Sequence, residues 1–155
     1  MKDTYTKEEI RQQAELVLKN AKFGHLAFAV ESEPYLVTVN YGYDKEYLYF
    51  HSSQKGKKVD MINNNPNICY ELNYGGDIYS NEHACNWGTK YRSLIGRGKA
   101  ELLVTDTDKV NGLKAIMRKY SGSTDHDFNE NVIHHTNIYR IKIDDISTKQ
   151  NKMYW

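Results

Sequence analysis

Proline and cysteine are scarce: the 155-residue chain has two of each, Pro34 and Pro66, Cys69 and Cys85. The cysteine spacing fits no metal-binding motif, and no metal site is expected. Charge of one sign is also missing. With 21 Lys+Arg against 20 Asp+Glu the net charge is +1, which argues against a general nucleic-acid binder, since those carry a basic excess on one face. No long apolar run follows the charged opening MKDTYTKEEI, so neither a signal peptide nor a membrane span is expected. A GxxxxGK[ST] phosphate loop, an internal repeat, a low-complexity tract and a linker are absent as well. The expectation is one soluble, cytoplasmic domain over residues 1–155 in a reducing setting, with neither nucleic acid nor membrane as partner.

What the chain has is tyrosine, 13 residues, within a 39% hydrophobic composition. Tyrosine suits strands and half-wet surfaces, so the composition points to a strand-rich domain and a possible subunit interface. The opening TKEEIRQQAELVLKNAKFG reads as a helix with a Thr6/Glu9 capping box, a stop at Gly24, and Ile10, Ala14, Val17 and Ala21 on its buried face. Strands are expected over 25–30, 35–41, 46–51 and 67–74. A short helix over 57–64 is stopped by Asn63-Asn64-Asn65-Pro66. GGDIYSNEHACNWG reads as a loop, and 91–105 as a long strand bent or bulged at Gly96 and Gly98. A helix over 106–120 buries Val110, Leu113, Met117 and Tyr120, a loop follows, and 137–147 is the last strand.

Six strands in hairpin order with peripheral helices predict a mainly β, α+β fold, a six-stranded antiparallel barrel or roll. The tight connection between the second and third strands leaves no room for crossover helices, which argues against a doubly wound nucleotide-binding sheet.

One stretch carries chemistry. In LYFHSSQKGKKVDMINNNP, Lys57 and Lys58 open a helix, where backbone N–H groups already make cations unwelcome. Ser52, Ser53, Gly56 and the two lysines together would suit a phosphate monoester: amides at a helix start, close approach over glycine, hydroxyls, and positive charge. Taken alone, GKK is better explained by solvated lysines on a surface turn, because lysine pairs on surfaces are ordinary.

GKKVDMINNNP resembles the corresponding segment of the pyridoxine (pyridoxamine) 5′-phosphate oxidases, and RSLIGRGKAE resembles a strand of the same family. FGHLAFAV, PYLVTVNYGY, LYFHSSQKGKK, YRSLIGRGKAELL and IYRIKIDDIST are closer to the oxidase-like flavoproteins grouped with nitroimidazole resistance proteins, a resemblance spanning residues 8–149. It implies a split β-barrel (Greek key) homodimer with FMN in clefts at the subunit interface. Lys57 and Lys58 would hold the FMN phosphate, with His51 and Ser52 beside the phosphate and ribityl chain. Ser93 would sit where the family places a glutamine near the flavin. Val37, Thr38, Val39 and Asn40 would run along the isoalloxazine through backbone groups. His51 is the candidate catalytic residue by this resemblance; on its own residues it reads as a strand-end histidine bonded to a neighbour.

The resemblance breaks after the second long helix. The oxidases' arginine-proline-arginine run and arginine-rich tail have no counterpart in MRKYSGSTDHDFNENVIHH or in NKMYW, so no useful pyridoxamine-phosphate oxidase activity is expected. His126, His134 and His135 read as a solvated loop, Cys85 as a free thiol, and Tyr91 and Arg92 as candidates for the flavin edge or an interface ion pair. Two functions from different classes follow. One is an FMN-dependent oxidoreductase that reduces a small electrophile such as a nitroaromatic with electrons from NAD(P)H. The other is a flavin- or haem-binding carrier without turnover.

Overall fold

The computed structural model describes residues 5–153. Helix α1 (Lys7–Asn20) begins at the expected capping box: Thr6 Oγ1 accepts from the Glu9 amide at 3.2 Å, and the Thr6 amide donates to Glu9 Oε2 at 2.8 Å. Its buried face is Gln13, Ala14, Val17 and Leu18, with Ala21 just beyond; Ile10 is only half-buried. The helix stops before Gly24, which is instead the first residue of β1 (Gly24–Val30). A Cβ there would lie 2.4 Å from a Leu72 methyl, so glycine serves packing at this position rather than capping.

The strands continue with β2 (Glu33–Val39), β3 (Tyr41–Tyr43) and β4 (Tyr47–Ser53). Helix α2 (Lys57–Asn64) leads to β5 (Asn67–Tyr79), a 3-10 turn at Ala84–Asn86, β6 (Gly88–Lys99) and β7 (Glu101–Leu102). Helices α3 (Asp106–Ser121) and α4 (Glu130–His135) precede β8 (Thr136–Lys142) and β9 (Asp145–Asn151). One sheet has the order β2-β1-β5-β6-β9 and the other β3-β4-β8-β7. Three of the six expected strands each contribute to both sheets, breaking at Asn40, at Ala100 and at Ile143-Asp144. Helix α2 makes a further crossing, from β4 in one sheet to β5 in the other. This is a split β-barrel, antiparallel at every pairing.

The main core lies between the sheets and is plugged by α1: Val17, Leu26, Tyr41, Leu48, Phe50, Tyr70, Leu72 and Leu94 are each at most 1% exposed. Burying a side chain of Val or Leu size contributes about 1.5–3 kcal/mol. A second cluster forms where α3 covers the far face of β4 and β8, with Tyr49, Leu113, Ile116, Ile133 and Ile138. The buried face of α3 is Gly112, Leu113, Ala115 and Ile116, so the expected face is displaced; Tyr120 is 44% exposed and acts through its hydroxyl, which donates to the Lys22 carbonyl.

Three further expectations are corrected. The loop-like GGDIY is the end of β5, pairing Ile78 with Thr89 and Tyr79 with Gly88. The register shift falls between Gly75 and Ile78, not at Gly96 or Gly98. Gly96 is needed because a Cβ would strike the Tyr70 ring 2.0 Å away. His134 and His135 close helix α4 rather than a loop.

Candidate functional site

The corner where β4 hands over to α2 is held by one local bond and one from the end of α4. Ser53 Oγ donates to the Lys55 carbonyl and Gln54 Nε2 to the His134 carbonyl, both at 2.7 Å. Gly56 then adopts φ 123°, a conformation side chains resist, and a Cβ there would meet nothing within 4 Å. Helices α1, α3 and α4 are capped by the side chains of Thr6, Thr105 and Asn129; α2 has no side-chain cap. Its first internal hydrogen bond runs from the Asp60 amide to the Gly56 carbonyl. The amides of Lys57, Lys58 and Val59 therefore have no acceptor within the helix.

Lys57 is exposed, with its ammonium 4.5 Å from the centre of the Tyr35 ring. Lys58 is half-buried, and burial lowers its pKa from the usual lysine value. Neither lysine is ion-paired with a carboxylate among the described residues. His51 sits two residues before the end of β4 on its outer face. Partial shielding of the imidazole and then the charge of Lys58 hold its pKa below the ordinary histidine value, although the residue as a whole is exposed. Ser52 points the other way, as strand alternation requires; it is 7% exposed and its hydroxyl donates to the Ser53 carbonyl.

Strand β2 borders this corner through Tyr35. Val37 and Val39 turn their side chains into the core, while Thr38 and Asn40 are exposed. Because β2 is the outer strand of its sheet, alternate backbone N–H and C=O groups along it have no neighbouring strand to pair with. Uncapped amides, two unpaired ammonium groups and an imidazole can take a dianionic phosphate, and the free edge can hydrogen-bond a flat ring.

Ser93 is elsewhere. It lies on β6, opposite Asn73 and Lys149, beside a shallow depression of about 330 Å³ that Glu71, Thr89 and Tyr91 also line. Three strand spacings separate β6 from β2, about 14 Å. One chain thus gathers His51, Lys57, Lys58 and β2, with Ser52 behind them, and leaves Ser93 apart. Tyr35 escaped the sequence reading because its contact with Lys57 spans 22 positions between a strand and a helix.

The other singled-out residues have local roles. Arg92 is 4% exposed and donates to Gln150, to the Tyr74 hydroxyl and to the Met153 carbonyl, which fastens β6 to the end of the described chain. His126 bonds Ser121 Oγ, His135 bonds the Asn131 carbonyl, and His134 lies 3.9 Å from Asp106. Cys85 is exposed in the 3-10 turn. Among the described residues no helix is long and apolar enough to cross a membrane.

A family model described as pyridoxamine 5′-phosphate oxidase matches residues 11–150. No curated protein matches the chain. Solved structures do. A candidate 5-nitroimidazole antibiotic resistance protein from Bacteroides thetaiotaomicron is similar with a TM-score of 0.79 at 24% identity, over 94% of this chain and 84% of that one. An FAD and haem binding protein from Mycobacterium smegmatis has a TM-score of 0.81 at 15% identity, over 97% and 74%. An FAD-binding protein from Mesorhizobium loti has a TM-score of 0.68 at 22% identity, over 96% of each chain. At these identities the likeness is one of fold.

Proposed function

Since the chain belongs to the pyridoxamine 5′-phosphate oxidase family, we propose that it is an FMN-dependent oxidoreductase that reduces a small electrophile, such as a nitroaromatic, with electrons from NAD(P)H. The observation that carries the cofactor assignment is the start of α2: uncapped amides behind an open Gly56, with Lys57 and Lys58 free of carboxylates among the described residues. Those groups would hold the FMN phosphate, with His51 flanking it and Ser52 supporting the turn from inside. Backbone groups of Val37, Thr38, Val39 and Asn40 would receive the isoalloxazine edge. Bound flavin would supply hydride and electron transfer, while the chain binds, orients and shields it. His51 would be the group able to hold or pass a proton near neutral pH.

For Ser93 to reach the same flavin, a second copy must supply it, so the working unit in this reading is a homodimer. The outer face of the five-stranded sheet supports that assembly. It carries Leu36 at 63% and Ile95 at 39% exposure beside the small residues Ala27, Ala29 and Cys69, and α1 packs against the opposite face. The chain is not assigned pyridoxamine-phosphate oxidase activity. The segment after α3 runs Gly122–Asn129 without the arginines that a second phosphate would need.

Denaturing release of the chromophore followed by mass spectrometry tests the cofactor directly. FMN is expected; haem, or no flavin even after reconstitution, would overturn the assignment. Bleaching by NADH or NADPH and re-oxidation by a nitroimidazole is expected of the enzyme. A flavin that binds but is never reduced would instead mark a carrier.

A further inference from the structure

Lys57 has a fixed seat without a counter-ion. Its ammonium lies 4.5 Å from the centre of the Tyr35 ring, and among the described residues it makes no ion pair. The ring is itself held. Tyr35 is half-buried against the main core, and its ring centroid is 5.9 Å from that of Phe28 at an interplanar angle of 33°. One part of the ring therefore packs, while a face meets the cation.

A lysine has many rotamers, and ordering it costs entropy when it closes on a ligand. A carboxylate could hold it in place but would cancel its charge. An aromatic face attracts the ammonium through its quadrupole, leaves the net charge intact, and leaves N–H donors on the far side. This contact also joins the α2 start to β2, the two elements that border the open corner.

We propose that Tyr35 is a positioning residue for the phosphate site: it holds the Lys57 ammonium ready for the anionic tail of the flavin. This inference rests on the flavin reading above. It assigns Tyr35 no contact with the isoalloxazine and no part in electron transfer.

The test compares FMN with riboflavin, which lacks the phosphate, on the full-length protein. Tyr35→Leu is expected to weaken FMN binding about two- to fivefold and to leave riboflavin binding unchanged. Tyr35→Phe, which keeps the π face, is expected to bind FMN like the parent. In a Lys57→Ala background, Tyr35→Leu should have no further effect. Should Tyr35→Leu not fold, the parent protein alone still decides: NMR should show the Lys57 ε-methylene protons shifted upfield of the other lysines by the ring current. Equal losses for FMN and riboflavin, an undiminished Tyr35→Leu effect without Lys57, or no ring-current shift would each overturn the proposal. A parent protein that binds neither ligand would overturn the flavin reading itself, a separate result.

Discussion

Lys57 and Lys58 are neighbours in sequence but differ in setting. Lys57 is exposed and rests on Tyr35, whereas Lys58 is half-buried beside His51. Burial costs the Lys58 ammonium solvation that a phosphate would restore. Replacing both lysines with alanine is expected to weaken FMN by several kcal/mol, at roughly 1.5–3 kcal/mol per charged hydrogen bond, and to spare riboflavin; fluorescence titration with both ligands checks this. His51 gives a pH signature of two opposite signs. Its pKa is lowered in the free protein, so the unfolded chain binds the proton more readily. The His51 contribution to stability is therefore complete above the ordinary histidine pKa and is lost as pH falls through the folded one. A bound phosphate dianion favours the same proton, so FMN binding should strengthen relative to a His51→Gln variant between about pH 8 and about pH 6. A parent-to-variant affinity ratio that stays flat over that interval would remove His51 from the phosphate's neighbourhood.

The elements show which signals are local and which are not. Helix α2 has its predicted bounds, 57–64, because glycine precedes it and Asn-Pro follows it. The six expected strands are all present, but the breaks at Asn40, Ala100 and Ile143-Asp144 left no mark in the alternation pattern, since each pass continues across its corner. Helix α4 was not legible. It has six residues, and what holds it is tertiary: Ile133 enters the second core cluster, and Lys109 Nζ donates to its carbonyl at 3.1 Å. The same division runs through the site. Lysines, glycine and helix start adjoin in the chain and could be read; Tyr35 meets Lys57 only in the fold. Glycine in β3 yields an element-scale prediction. A Cβ on Gly42 would sit 2.2 Å from the Ile116 backbone nitrogen, so α3 packs on β3 with no room for a methyl. Backbone cannot rotate away as a side chain can. Gly42→Ala should cost about 3 kcal/mol and lower Tm by roughly 10 °C. An unchanged calorimetric transition would mean that α3 stands further off.

At the scale of the molecule, the two halves of the proposed site are the issue. The phosphate corner belongs to α2 and β2, while Ser93 belongs to β6, about three strand spacings away on the face opposite the one α1 packs against. If that face meets its copy, flavin binding and dimerisation are linked, because a ligand bridging two chains stabilises the assembly it bridges. Ile95 suits a test: it lies on the same outer face as Ser93, directly opposite Glu71 and Ser147 and away from the core. A charge there costs the free chain little, since the side chain is already 39% exposed. It would cost an interface that excludes water far more, because desolvating the ammonium outweighs its attraction to the neighbouring Glu71. Ile95→Lys is therefore expected to fold, to sediment as a monomer, and to lose FMN together with the dimer, although every residue of the phosphate corner is intact. Sedimentation velocity read at both protein and flavin wavelengths follows the two losses in one run. A monomer that still carries FMN at parental affinity would confine the site to one chain and separate Ser93 from it.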